Sequence, residues 1–94
     1  MSGQPVIYYA VTQERGENWD TRRSMREQKN WEEHAAFMDA LVEDGFVVLG
    51  GPLDDEKKVL LIINAESRQV IEARLADDPW MPMGVRRIAK VERS

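Results

Sequence analysis

The segments 5–13 and 59–63 carry apolar side chains on both faces, and no other feature of this 94-residue chain restricts its fold as strongly. In the first, Val6, Tyr8 and Ala10 alternate with Ile7, Tyr9 and Val11; in the second, Val59, Leu61 and Ile63 alternate with Leu60 and Ile62. Such β-branched and aromatic runs favour strands. An antiparallel sheet with one wet face shows polar residues on that face, so strands apolar on both sides need cover above and below.

Helices supply one cover. From Trp31 the spacing becomes helical, with Trp31, Ala35, Met38, Leu41 and Val42 on one stripe and Glu32, Glu33, Asp39 and Glu43 outside it. Gly45 suits the left-handed residue that ends a helix. Phe46 to Leu49 reads as a short strand broken by Gly50-Gly51-Pro52, and the polar turn Asp54 to Lys58 leads into the strand Val59 to Ile63. Ser67 is a candidate cap for a second helix bearing Val70, Ile71 and Leu75, which Pro79 stops at Asp78. In a last strand, Val85, Arg87, Ala89 and Val91 alternate with Arg86, Ile88 and Lys90. Glu14 to Asn30 reads as a polar loop with room for a helical lead-in after Asp20, capped by Asp20 or Thr21. The order βαββαβ with right-handed crossovers places both helices on one side of a four-stranded antiparallel sheet. The other face is then left for a second subunit, so the sequence predicts a homodimer stacked sheet on sheet.

Size and charge narrow the function. The length predicts one domain over residues 1–94. A net charge of −4 opposes counterion release, which argues against nucleic-acid binding, as does the absence of an aromatic RNA-binding motif on the middle strands. With no cysteine there is no disulfide, thiolate nucleophile or cysteine-based zinc site, and a single histidine leaves only a carboxylate-dominated metal site conceivable. No apolar run reaches the roughly 20 residues that span a bilayer, and the N-terminal residues lack a basic stretch followed by an apolar one. The expectation is a cytoplasmic protein with no membrane partner, no bound metal and no cofactor.

The candidate chemistry is therefore sparse. His34 lies beside the apolar stripe of the first helix and reads either as a partly buried histidine with a local hydrogen bond or as a general acid or base. Asp77 and Asp78 end the second helix, where negative charge opposes the helix dipole; an aspartate before proline is also a common turn former. Facing His34, such a carboxylate would hold the ring in one tautomer. Trp80 reads as a wall of a small-molecule pocket or as core filler. Arg22, Arg23 and Arg26 could hold an anion or simply form a solvated face, and Arg23 shares the face of His34 only if one helix runs unbroken between them.

Trp31-Glu32-Glu33-His34, Gly45, Gly51-Pro52-Leu53, Asp78-Pro79-Trp80 and Gly84 together resemble the YCII-related family of the dimeric α+β barrel superfamily. The resemblance implies a ferredoxin-like α+β protomer, a dimer, and a cleft holding a histidine and an aspartate, which fall at His34 and Asp78. Some relatives are dehydrochlorinases of chlorinated aromatic breakdown products, and the wider superfamily includes muconolactone isomerases and cofactor-free monooxygenases. The expected function is a cofactor-independent lyase or isomerase moving a proton on a small cyclic substrate. In it His34 is the acid or base and Asp78 its orienter, with Trp80 and Arg23 binding substrate. The alternative is a noncatalytic dimeric ligand-binding or accessory module.

Overall fold

The computed structural model describes residues 7–53 and 57–94. The proposed start of the first strand at Pro5 and Val6, and Asp54, Asp55 and Glu56 of the turn, lie outside them. The chain runs β1 (Tyr8–Arg15), a 3-10 turn (Met25–Glu27), α1 (Trp31–Glu43), β2 (Val47–Pro52), β3 (Lys58–Asn64), α2 (Arg68–Leu75) and β4 (Arg86–Arg93). The strands form one antiparallel sheet in the order β2-β3-β1-β4, so the two strands with apolar residues on both faces are central, as their composition requires. Leu41 of α1 and Ile71 and Leu75 of α2 share a core with Tyr9, Val11, Leu61 and Ile63, which puts both helices on one face. Full burial of an aliphatic side chain such as Ile71 or Leu75 contributes about 1.5–3 kcal/mol.

The helix ends follow their local chemistry. Gly45, at φ +81°, takes the left-handed conformation after α1. The Ser67 hydroxyl accepts the Val70 N–H at 3.2 Å and caps α2. Two expectations fail at the strands, both through bulges. Gly50-Gly51-Pro52 does not break β2: the register slips around Val48, and the strand continues with Gly50 opposite Leu61 and Pro52 opposite Val59. A Cβ on Gly50 would lie 2.9 Å from Leu61 Cδ2, so a larger residue there would displace that side chain, and Pro52 is tolerated because β2 is an edge strand. In β4 the pairing passes from Thr12–Lys90 to Gln13–Ile88, leaving Ala89 as the extra residue. The simple alternation expected for this strand is broken, so Ile88 and Val91 both pack on the core while Arg86 is buried at the strand's start.

The segment between β1 and α1 is mostly irregular. Its one helical piece is the three-residue turn, with Ser24 and Glu27 forming a capping box, rather than a longer helix capped at Asp20 or Thr21. Buried Gln28 organises it: the side-chain amide donates to the carbonyls of Asp20 and Arg23, and its oxygen accepts from the Asp20 N–H. Asn30 then adopts a left-handed φ of 62°, which asparagine tolerates better than most residues, and α1 begins.

Candidate functional site

Two chain crossings build the site. After β1 the backbone passes the segment leading into β4 so closely that a Cβ on Gly16 would sit 2.1 Å from the Gly84 carbonyl oxygen; the Gly16 N–H donates to Val85 and the Asn18 N–H to Gly84. Gly84 has a φ of +73°. This contact sets Trp19, from the first segment, edge-on against Trp80, from the second, with centroids 6.0 Å apart. The Trp80 indole N–H donates to the Lys29 carbonyl at 2.8 Å, which ties the same corner to the start of α1 and to His34 one turn further on.

Here His34 and Asp78 meet. His34 Nδ1 lies 2.7 Å from Asp78 Oδ2, and the other carboxylate oxygen accepts the Trp80 backbone N–H at 3.0 Å. Asp78 is fully buried and His34 is 7% exposed. The carboxylate is an acceptor, so the ring proton belongs on Nδ1 and Nε2 is left to take or give a proton. Trp80 stacks flat on the imidazole, centroids 3.8 Å apart and planes 7° from parallel.

His34 is part of the wall of a cleft of about 870 Å³, whose apolar side is formed by Met38, Val47, Val59, Leu61 and Pro52. Trp80 supplies none of its surface: it is 0% exposed and backs the histidine from behind, while Trp19 and Trp31 are the indoles that line the cleft. Arg23 is also elsewhere. Its guanidinium pairs with Asp20 at 3.2 Å and borders a different cleft, with Asn18, Glu27 and Met83. Because the left-handed Asn30 interrupts the path between Arg23 and His34, no continuous helix face joins them.

Three polar residues with no motif to mark them in the sequence reach the cleft from the sheet: Gln13, Arg15 and Arg86. Arg15 and Arg86 are register partners across β1 and β4, and the Arg86 guanidinium lies 5.6 Å from the Trp19 ring centroid and 5.5 Å from that of Trp80. Burial holds the Arg86 pKa below the ordinary guanidinium value; Asp78 opposes that shift and Arg15 adds to it. A signal for Gln13 was present in the sequence. It continues the inward period of Tyr9 and Val11, and a polar side chain on a buried period needs an explanation.

Among the described residues no helix is long and apolar enough to cross a membrane. The family model of the YCII-related domain matches residues 6–93. No curated protein sequence matches the chain. Among solved structures, the chain is similar to the 5-chloro-2-hydroxyhydroquinone dehydrochlorinase TftG of Burkholderia phenoliruptrix AC1100, in complex with 2,5-dihydroxybenzoquinone. The identity is 20%, with a TM-score of 0.59 and coverage of 92% of this chain and 90% of that one. It is also similar to the protein YJCS, at 10% identity and a TM-score of 0.57 over 96% and 97% of the two chains. At these identities the shared property is the fold.

Proposed function

The chain belongs to the family of YCII-related domains, and from that premise we propose that its cleft is the site of a cofactor-independent lyase or isomerase. His34 transfers the proton and Asp78 holds the ring. The observation that carries this reading is the 2.7 Å contact between His34 Nδ1 and a fully buried carboxylate, made at the wall of a cleft large enough for a small cyclic substrate. Trp80 stacks parallel to the imidazole and Asp78 takes Nδ1, which leaves Nε2 as the ring nitrogen for proton exchange.

The likeness to a dehydrochlorinase selects the first reaction to try. In a chlorinated hydroxyhydroquinone, tautomerisation moves a hydroxyl proton to the chlorine-bearing ring carbon. Chloride then leaves with the C–Cl electron pair as a second hydroxyl loses its proton, giving a hydroxyquinone and HCl with no outside oxidant or reductant. One group that accepts and returns a proton serves both halves, which is the work of a histidine. Incubation with 5-chloro-2-hydroxyhydroquinone, followed by chloride release and quinone absorbance, should show turnover, and His34→Ala should slow the chemical step by roughly 10²–10⁴-fold. Wild-type turnover by a folded His34→Ala protein would contradict the role given to His34. Saturable binding with no product, across this substrate and an unsaturated lactone, would favour the accessory-module reading.

The same reading includes a second copy of the chain. On the sheet face away from the helices, Leu49 is 68% and Tyr8 42% exposed, beside half-buried Ala10, Leu60 and Ile62. A contiguous apolar sheet face of this kind is unfavourable in water. Light scattering should give about twice the 10.8 kDa chain mass, whereas a stable, folded monomer would contradict the sheet-on-sheet dimer.

A further inference from the structure

Folded proteins leave few buried donors without an acceptor, since each one costs about 1–3 kcal/mol. Among the described residues three side-chain nitrogens are in this position: Gln13 Nε2, Arg15 Nε and Arg86 Nε. All three belong to residues that line the one cleft holding His34. Gln13 is 2% and Arg86 3% exposed, so neither side chain can turn outward to find solvent. Three unmatched donors carried by residues of one cavity wall point to a ligand that brings acceptor oxygens to that wall.

The charge of that ligand follows from the same residues. Arg15 and Arg86 place two guanidinium groups side by side across the β1–β4 pairing. The nearby buried carboxylate, Asp78, already has its oxygens engaged by His34 and the Trp80 N–H. At the rim the cleft adds one exposed carboxylate, Asp39, and one exposed cation, Arg26, so the excess of positive charge remains at the buried end. Its shape follows from the aromatic residues. Arg15 lies 4.6 Å above the Trp19 ring centroid, which holds its planar fork in place, and half-buried Trp31 contributes a second indole to the wall.

We propose that Gln13, Arg15 and Arg86 form an oxyanion-binding subsite that selects planar organic anions, phenolates or carboxylates on a ring, as the ligands of the cleft. The subsite rests on the proton-transfer reading for what becomes of the ligand, and not for its binding. Charge-assisted bonds from two preorganised guanidiniums hold the ionised oxygen, the Gln13 amide adds a neutral donor, and the ring lies against the indoles within reach of the cleft wall that carries His34.

Isothermal titration of the wild-type protein with benzoate and with 4-nitrophenolate, against the uncharged analogues benzamide and 4-nitroanisole, tests this directly. Both anions should bind at least about tenfold more tightly than their neutral counterparts, and Arg86→Gln and Arg15→Gln should each remove about a factor of ten or more from the anion affinity while leaving the neutral compounds unchanged. A merely structural arginine would behave differently: its loss would lower the melting temperature of the unliganded protein and weaken all four compounds alike. His34→Asn should keep the anion preference, so wild-type turnover in that variant with retained anion binding would count against the proton-transfer reading alone. Equal affinity for anions and neutral analogues, or undiminished anion binding by folded Arg86→Gln protein, would overturn the subsite.

Discussion

The two ends of the cleft treat their polar groups in opposite ways. At the α1 end, His34, Asp78 and Trp80 are joined to one another: a carboxylate with both oxygens engaged, an imidazole fixed by a hydrogen bond and a stacked ring, and an indole whose N–H reaches a carbonyl. At the sheet end, Gln13, Arg15 and Arg86 bury donors that nothing in the described chain accepts. The first arrangement spends its interactions on orientation, which is what a group must have before it can move a proton along a defined line. The second leaves interactions unmade, which destabilises the empty protein and strengthens whatever fills the space. Such trade-offs between stability and activity are typical of binding sites.

That contrast predicts opposite responses to substitution. The largest change should come from Trp80→Ala. It removes a fully buried indole that backs the histidine, meets Trp19 and anchors Lys29, and it should cost about 3–5 kcal/mol in denaturant unfolding at a fixed protein concentration. Arg86→Gln should cost little and can raise stability. The sign follows from linkage: burial lowers the Arg86 pKa, so the fold disfavours the charged form, and near neutral pH that charge is carried in both the folded and the unfolded chain. A neutral side chain removes the penalty. If Arg86→Gln were as damaging as Trp80→Ala, the sheet end would be structural and the contrast would disappear.

The scaffold was more legible in the sequence than the site. Period and punctuation were enough for βαββαβ, because two-sided strands, a helical stripe ending at Gly45 and a cap at Ser67 are local signals. The bulges were not. An extra residue at Val48 or Ala89 carries no distinctive side chain, and each bulge shifts the inward period, so Arg86 and Ile88 share the inner face with Val91, which strict alternation assigns to the opposite face. His34 and Asp78 stand 44 positions apart, so their meeting depends on how α1 and the segment after α2 pack, and the pair was named through family resemblance rather than through spacing. Arg23 failed to reach the cleft for a local reason: Asp20, three residues before it, holds its guanidinium, and Asn30 turns the chain before α1 starts.

The pairing of His34 with Asp78 is tested by the rate of the chemical step in Asp78→Asn, measured on folded protein with whichever substrate the wild type turns over. An asparagine at this place keeps the size of the side chain but no longer requires the proton to sit on His34 Nδ1, so the ring can settle in the unproductive tautomer. The rate should fall roughly 10²-fold or more, in keeping with the worth of a correctly protonated general acid or base. A wild-type rate in Asp78→Asn would contradict the role given to Asp78, because the 2.7 Å contact between His34 and Asp78 would then be holding the fold together without serving the reaction.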